Sequence, residues 1–239
     1  GVYTQLQKNF LEEDRLKLTV SARYDKAQNF DGNVSPRLSL AYAGGENKNH
    51  NFRASVQSGF RNPTTQDQYI GLDVGNAILV GSAADNLDRY STGALAVSPT
   101  GQFVANTFGT TPIGATTVLT GNNAYSNTFS ASSVQAFAAG QIAAPIATTT
   151  DLVKPEKVTA FEVGYRGLAS ISDQRITVDL SAYYNAYEDF ISGKNVIATY
   201  YGNTNFSDTA PVGPGGAPVP LALVALANDD YKVFQAYTN

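Results

Sequence analysis

Between Arg15 and Asp25 the chain reads RLKLTVSARYD, and its side chains sort by parity. Leu16, Leu18, Val20, Ala22 and Tyr24 fall on one side of an extended backbone, and Lys17, Thr19, Ser21, Arg23 and Asp25 fall on the other. Successive side chains of a β-strand point to opposite faces, so this stretch is a strand with one apolar and one polar face. The same period is read over residues 1–10, 35–43, 51–60, 157–167 and 174–186. No apolar run approaches the ~20 residues that a membrane helix needs.

The connections constrain the strands further. LEED at 11–14, GGENKNH at 44–50 and LASISDQ at 168–174 are short turns. The alternate connections are longer: DKAQNFDGNV at 25–34, a stretch from 61 to 154, and a Gly/Pro-rich stretch from 187 to 230. A soluble sandwich, the alternative fold, has no reason to sort its loops in this way. A transmembrane β-barrel has short turns on the periplasmic side and long loops outside. With LEED set on the periplasmic side, Phe10, Tyr42, Phe52 and Tyr165 fall near the inner rim, and Tyr24, Phe60 and Tyr184 near the outer rim. Two aromatic girdles on the lipid face are what interfacial rings predict. The apolar faces are therefore expected to meet lipid. Lys17, Arg23, Arg37, Arg53, Glu162, Arg166 and Asp179 are expected to face a lumen.

The stretch from 61 to 154 is far longer than an ordinary connection and is rich in Ala, Thr, Gly, Ser and Asn. It reads as a large extracellular loop with some structure of its own. ASSVQAFAAGQIAA is expected to contain a short helix, and Gly109–Thr117 to be mobile. Arg61, Asn62, Asp67, Gln68 and Tyr69 lie just beyond the strand rim, where loops on a rigid scaffold carry recognition of a ligand or partner. Charged residues make up only 15% of the chain, against the usual ~25%. The net charge of −4 argues against nucleic acid as a partner. There is no cysteine, hence no disulfide framework and no thiolate metal site.

Two stretches go beyond pattern. SPRLSLAYAGGENKNHNFRASVQSGFRNPTTQDQY resembles the barrel region of TonB-dependent outer-membrane receptors, through Pro36, Arg37, Gly59, Phe60, Arg61 and Pro63. LVKPEKVTAFEVGYRG resembles the L-x-PE…E-x-G-x-R signature of the same family, through Leu152, Pro155, Glu156, Glu162, Gly164 and Arg166. One extra residue separates the Leu from the Pro. The resemblance covers about residues 1–60 and 150–190, and the loops have the flavour of Bacteroidetes-type receptors. It implies an all-β fold, a portion of an antiparallel transmembrane barrel of ~22 strands filled by a plug. Six strands cannot close such a barrel, and neither a plug nor a coupling box is visible. The chain is therefore expected to be part of a longer protein.

Nothing in the sequence assembles a nucleophile with a base, so no enzymatic activity, catalytic residue, metal ligand or cofactor is expected. His50 is read as a solvated turn residue, and the Asp85/Asp88 and Asp229/Asp230 pairs as solvated loop acids without calcium-loop spacing. GPGG at 213–216 lacks the strand–helix context of a phosphate loop. For the lumen arginines, pairing with a plug or with neighbours such as Glu162 or Asp179 is favoured over ligand contact. The resemblance implies energised uptake of a scarce nutrient (a siderophore, vitamin, glycan or peptide) across the outer membrane of a Gram-negative bacterium. Its implied partners are the lipid bilayer and the TonB energy-coupling complex. A second reading makes the barrel a structural or docking component of a surface assembly, with a surface lipoprotein or another outer-membrane protein as partner. A passive porin is disfavoured, because diffusion needs neither the long loop nor the signature.

Overall fold

The computed structural model describes residues 1–171, 174–211 and 216–239. The chain divides into two compact units, Gly1–Asn62 with Lys154–Phe190, and Pro63–Val153 with Ile191–Asn239.

The first unit is one antiparallel sheet. Its strands are β1 (Val2–Phe10), β2 (Leu16–Asp25), β3 (Asn33–Gly44), β4 (His50–Arg61), β5 (Glu156–Ile171) and β6 (Gln174–Glu188), paired in that order. The sheet is open, with β1 and β6 as its edges. The pairing from Glu156 opposite Arg61 to Gly167 opposite His50 makes β4 and β5 direct neighbours despite the long insertion between them. Register carries the parity of each strand across the sheet. Leu6, Val20, Leu38, Val56, Phe161 and Tyr184 form one row. Four residues away on the same face, Phe52 stacks near Tyr42 with ring centroids 6.3 Å apart and near Tyr165 at 4.9 Å. The opposite face carries the row Gln7, Thr19, Ser39, Ser55, Glu162 and Tyr183.

The apolar face is exposed within this unit among the described residues: Leu6 is 74% exposed and Leu180 61% exposed. Burying a leucine from water is worth about 1.5–3 kcal/mol, so a water-soluble sheet would not leave a whole face of them uncovered. The β5–β6 hairpin runs further than the sequence suggests. Leu168–Ile171 was expected to lie in a turn, yet it pairs with Gln174–Thr177. The cause is a facing strand that offers its backbone groups; the intervening Ser172 and Asp173 lie outside the described residues. At the other short turns, the Lys48 ammonium donates to Glu13 O at 2.7 Å and the Arg15 guanidinium to Gly45 O at 2.5 Å, which ties 11–14 to 45–48.

The second unit is built from the two stretches read as long loops, 61–154 and 187–230. They fold together as one body. Its central strands, β7 (Ser192–Thr199) and β8 (Tyr231–Thr238), come from the later segment. They lie between short strands of the earlier segment: Ala147–Thr148 and Thr128–Ser130 on one side, Ile78–Val80 and Gly71–Asp73 on the other. β8 runs parallel to Ile78–Val80, with Phe234 opposite Ile78. Around this sheet stand α1 (Thr65–Tyr69), α2 (Ala84–Arg89), α3 (Pro99–Phe108), α4 (Gly121–Tyr125), α5 (Ala131–Ala138) and α6 (Leu221–Ala227). α5 lies within the stretch read as containing a short helix.

The core uses both segments at once. Ile78, Val80, Leu87, Val196 and Phe234 pack in one cluster on one side of β7, and Phe129, Val134, Ile197 and Leu226 pack in another on its other side. The Gly109–Thr117 run, expected to be mobile, is held in place. Asn106 donates to Ile113 O at 2.9 Å and accepts from Ile113 N at 2.7 Å, and Thr116–Thr117 pair with Leu95–Ala96. Of the GPGG stretch, residues 213–215 lie outside the described residues.

Candidate functional site

On the polar sheet face the charges are arranged around a missing side chain. Arg53 on β4 sits opposite Gly164 on β5. A Cβ at 164 would come within 2.5 Å of Arg53 Nε, so the glycine leaves a groove across which the guanidinium lies. From there Arg53 reaches Glu162 at 3.5 Å and Asp179 at 3.7 Å. Glu162, Gly164 and Arg53 are thus one unit: the glycine is the channel through which the arginine meets the acids. Arg166 is in register with Asp179, and Arg23 pairs with Asp25 at 2.6 Å. Lys17 lies opposite Ala41, and Arg37 opposite Ser21 and Gln57. No ion pair holds Lys17, Arg37 or Arg166 among the described residues.

The Arg53 cluster is half exposed, at 48–49% for each side chain, so solvent screens it strongly. A double-mutant cycle with Arg53→Met and Glu162→Gln, read from urea unfolding in bilayers, is expected to give a coupling of no more than about 1 kcal/mol. A coupling several times larger would mean that the cluster works in a dry environment.

The residues beyond the rim divide between roles. Arg61 pairs with Glu156 at 2.5 Å, closing the open end of the β4–β5 pair, and Glu156 is buried. Asn62 Oδ1 is buried without a hydrogen-bond partner among the described residues. Asp67 and Thr64 form a reciprocal capping box at the start of α1, which satisfies two of its free N–H groups. Gln68 donates to Pro63 O at 2.8 Å, and Tyr69 is half-buried. Asp67 and Gln68 therefore serve local structure first.

His50 and Asp230 correct their sequence readings. His50 is not a solvated turn residue. It opens β4, with its Nδ1 hydrogen-bonded to the Tyr165 hydroxyl at 2.8 Å and its ring stacked on that tyrosine. Asp230 is 2% exposed, because three donors compensate its burial. It accepts from Ser98 N and Ser98 Oγ, both at 2.7 Å, and from the Tyr201 hydroxyl at 2.9 Å. Burial and the adjacent Asp230 carboxylate push the Tyr201 phenol well above its ordinary range. The trio joins the two chain segments of the second unit, and no spacing in the sequence announces it. Asp85 and Asp88 are exposed as expected, but on α2 rather than in a loop: Asp85 pairs with Arg89 and Asp88 accepts from Asn122 at 2.7 Å. No cluster of acids or histidines fit for a metal ion is present among the described residues.

A family model described as TonB dependent receptor-like, beta-barrel, matches residues 1–213. No curated protein and no solved structure matches the chain.

Proposed function

The chain belongs to the TonB dependent receptor-like, beta-barrel family, and from that premise we propose that it forms part of an outer-membrane receptor for energised uptake of a scarce nutrient. In this reading the six-stranded sheet is a sector of a larger closed barrel of about 22 strands. Closure removes the two open edges, which lipid does not tolerate unpaired. The apolar face meets the bilayer. The polar face with Lys17, Arg37, Arg53 and Arg166 lines the lumen, against a plug or the passing solute. The second unit lies outside the cell and captures the nutrient, and the TonB complex supplies energy from the inner membrane.

The observation that supports this most directly is the register. Six strands bring most of their large apolar residues onto one exposed face, and Lys17, Arg23, Arg37, Arg53, Glu162, Arg166 and Asp179 onto the other. The test uses single cysteines in the full-length receptor in its native membrane. Cysteines at Leu18, Leu40, Val56, Val163 and Leu180 should be quenched by lipid-borne probes, and those at Thr19, Ser39, Ser55 and Ser181 should react with water-borne ones. Indistinguishable labelling of the two sets would remove the barrel. Nutrient uptake that persists after the proton gradient is collapsed would remove the energised step. The alternative of a docking component keeps the barrel and predicts a co-purifying surface lipoprotein instead of uptake.

A further inference from the structure

The second unit contains a cavity of about 250 Å³ at the seam between its two chain segments. One wall is the turn after α3, with Gly109, Thr110, Thr111 and Ile113; the other is the turn after β7, with Tyr200, Asn203 and Asp208. The floor is formed by Ala105, Tyr201 and Leu221, members of one apolar cluster. We infer that this cavity is a recognition site for a neutral sugar unit. The inference rests on the uptake reading only in taking the second unit to face the outside of the cell.

Three features of the cavity carry the assignment. The first is charge. Among the described residues no lysine, arginine or histidine lines it and Asp208 is the one carboxylate in its wall, so an anionic ligand would meet repulsion and no counter-charge. The second is the mixture of surfaces. A sugar ring has an apolar C–H face and a rim of hydroxyls. Here an aromatic and aliphatic floor meets hydroxyl, amide and carboxylate groups at the mouth. A small number of placed polar groups over an apolar base is the usual make-up of a small-ligand site. No hydrogen bond engages the hydroxyls of Thr110, Thr111, Thr117 and Tyr200 among the described residues, so they are free to bond a ligand.

The third feature is preorganisation. The first wall is clamped by the two Asn106–Ile113 bonds. The second is clamped by Asn127, which donates to Gly202 O at 3.2 Å and accepts from Thr204 N at 3.0 Å. Asn203 donates to Asp208 Oδ2 at 2.8 Å, which holds the carboxylate at the mouth, and Leu221 N donates to Asp208 O at 2.8 Å, which holds its backbone. Gly202 takes φ +79, and any Cβ there would overlap the backbone of Ala222, so the wall is held tight against α6. Walls fixed before binding reduce the ordering cost that a weak polar ligand would otherwise have to overcome.

The experiment displays the full-length receptor in detergent to an array of immobilised neutral and acidic oligosaccharides. Retention of at least one neutral oligosaccharide is expected. Thr111→Trp, which fills the mouth from an exposed turn, and Tyr200→Phe, which removes one hydroxyl while keeping the ring, are each expected to weaken it at least tenfold for the first and severalfold for the second. Their thermal unfolding should match the parent. No retention, retention of acidic oligosaccharides only, or retention that Thr111→Trp leaves unchanged each overturns the assignment. Failure here is separable from failure of the uptake reading. A receptor that ignores neutral sugars but still accumulates another solute only with the proton gradient intact keeps uptake and loses the sugar site. One that binds sugars without energised accumulation does the reverse.

Discussion

Leu180→Arg is expected to destabilise the receptor in a bilayer by about 2–4 kcal/mol, while Ser181→Arg on the next residue costs far less. Both side chains stand on β6, and Leu180 is 61% exposed in the chain by itself. In water an exposed leucine would accept an arginine at little cost. In hydrocarbon the guanidinium must be dragged to an interface or hydrated by a local defect, and the cost is steepest near mid-membrane. Urea titration of the bilayer-embedded receptor, followed by the shift in gel mobility between folded and unfolded barrel, reads the difference. Equal costs for the two substitutions would mean that the apolar face is covered by protein instead of lipid.

Phe234→Ala should have the largest effect in the second unit, about 3–5 kcal/mol. Phe234 is 0% exposed, sits on β8 in the middle of the sheet, and packs with Ile78, Val80 and Val196. Both chain segments contribute to that one cluster, so both should loosen together. Limited proteolysis of whole cells is expected to open sites in Pro63–Val153 and Ile191–Asn239 in parallel. Membrane insertion should survive, because β4 and β5 pair directly without help from this unit. If only one segment becomes sensitive, the two are not a cooperative body. If the protein fails to insert, the second unit is part of barrel assembly.

The sheet of the first unit was legible because each of its strands has one wet and one oily side. Alternation in RLKLTVSARYD or RITVDLSAYYNAY is a direct print of that two-sided environment. β7 lacks the print. Val196 and Ala198 enter one cluster and Ile197 another, so a strand buried on both faces reads as an apolar run, VIA, with no period. Thr128–Ser130, which pairs with β7, and Ile78–Val80, which pairs with β8, are only three residues each, too short for any periodicity to register. Among the charged residues, Arg53 and its two acids were named from their faces alone. The part played by Gly164 needs the register, because the groove exists only when that residue stands opposite the arginine. Asp230 was misread because a carboxylate in an Asn-Asp-Asp turn looks solvated unless its donors at Ser98 and Tyr201, remote in the chain, are known.

The parallel seat of β8 against Ile78–Val80 also fixes an order of events. A strand that pairs with residues so distant in the chain must close a very large loop before its contacts reward it, and such topologies fold slowly. The earlier segment holds Gly71–Asp73, Ile78–Val80 and Thr128–Ser130, yet in the finished sheet it has no strand of its own to join the first two to the third. Its local hairpins, Gly71–Asp73 with Ile78–Val80 and Thr128–Ser130 with Ala147–Thr148, must wait for β7 and β8 to gain a common sheet. A waiting segment survives if it resists sticking to its neighbours. The Ala, Thr, Gly, Ser and Asn that dominate 61–154, with its apolar strand pieces kept to two or three residues, give few windows long and greasy enough to nucleate aggregation. The bland composition that made this stretch look like a loop is, on this account, what lets it remain soluble until its missing centre is delivered.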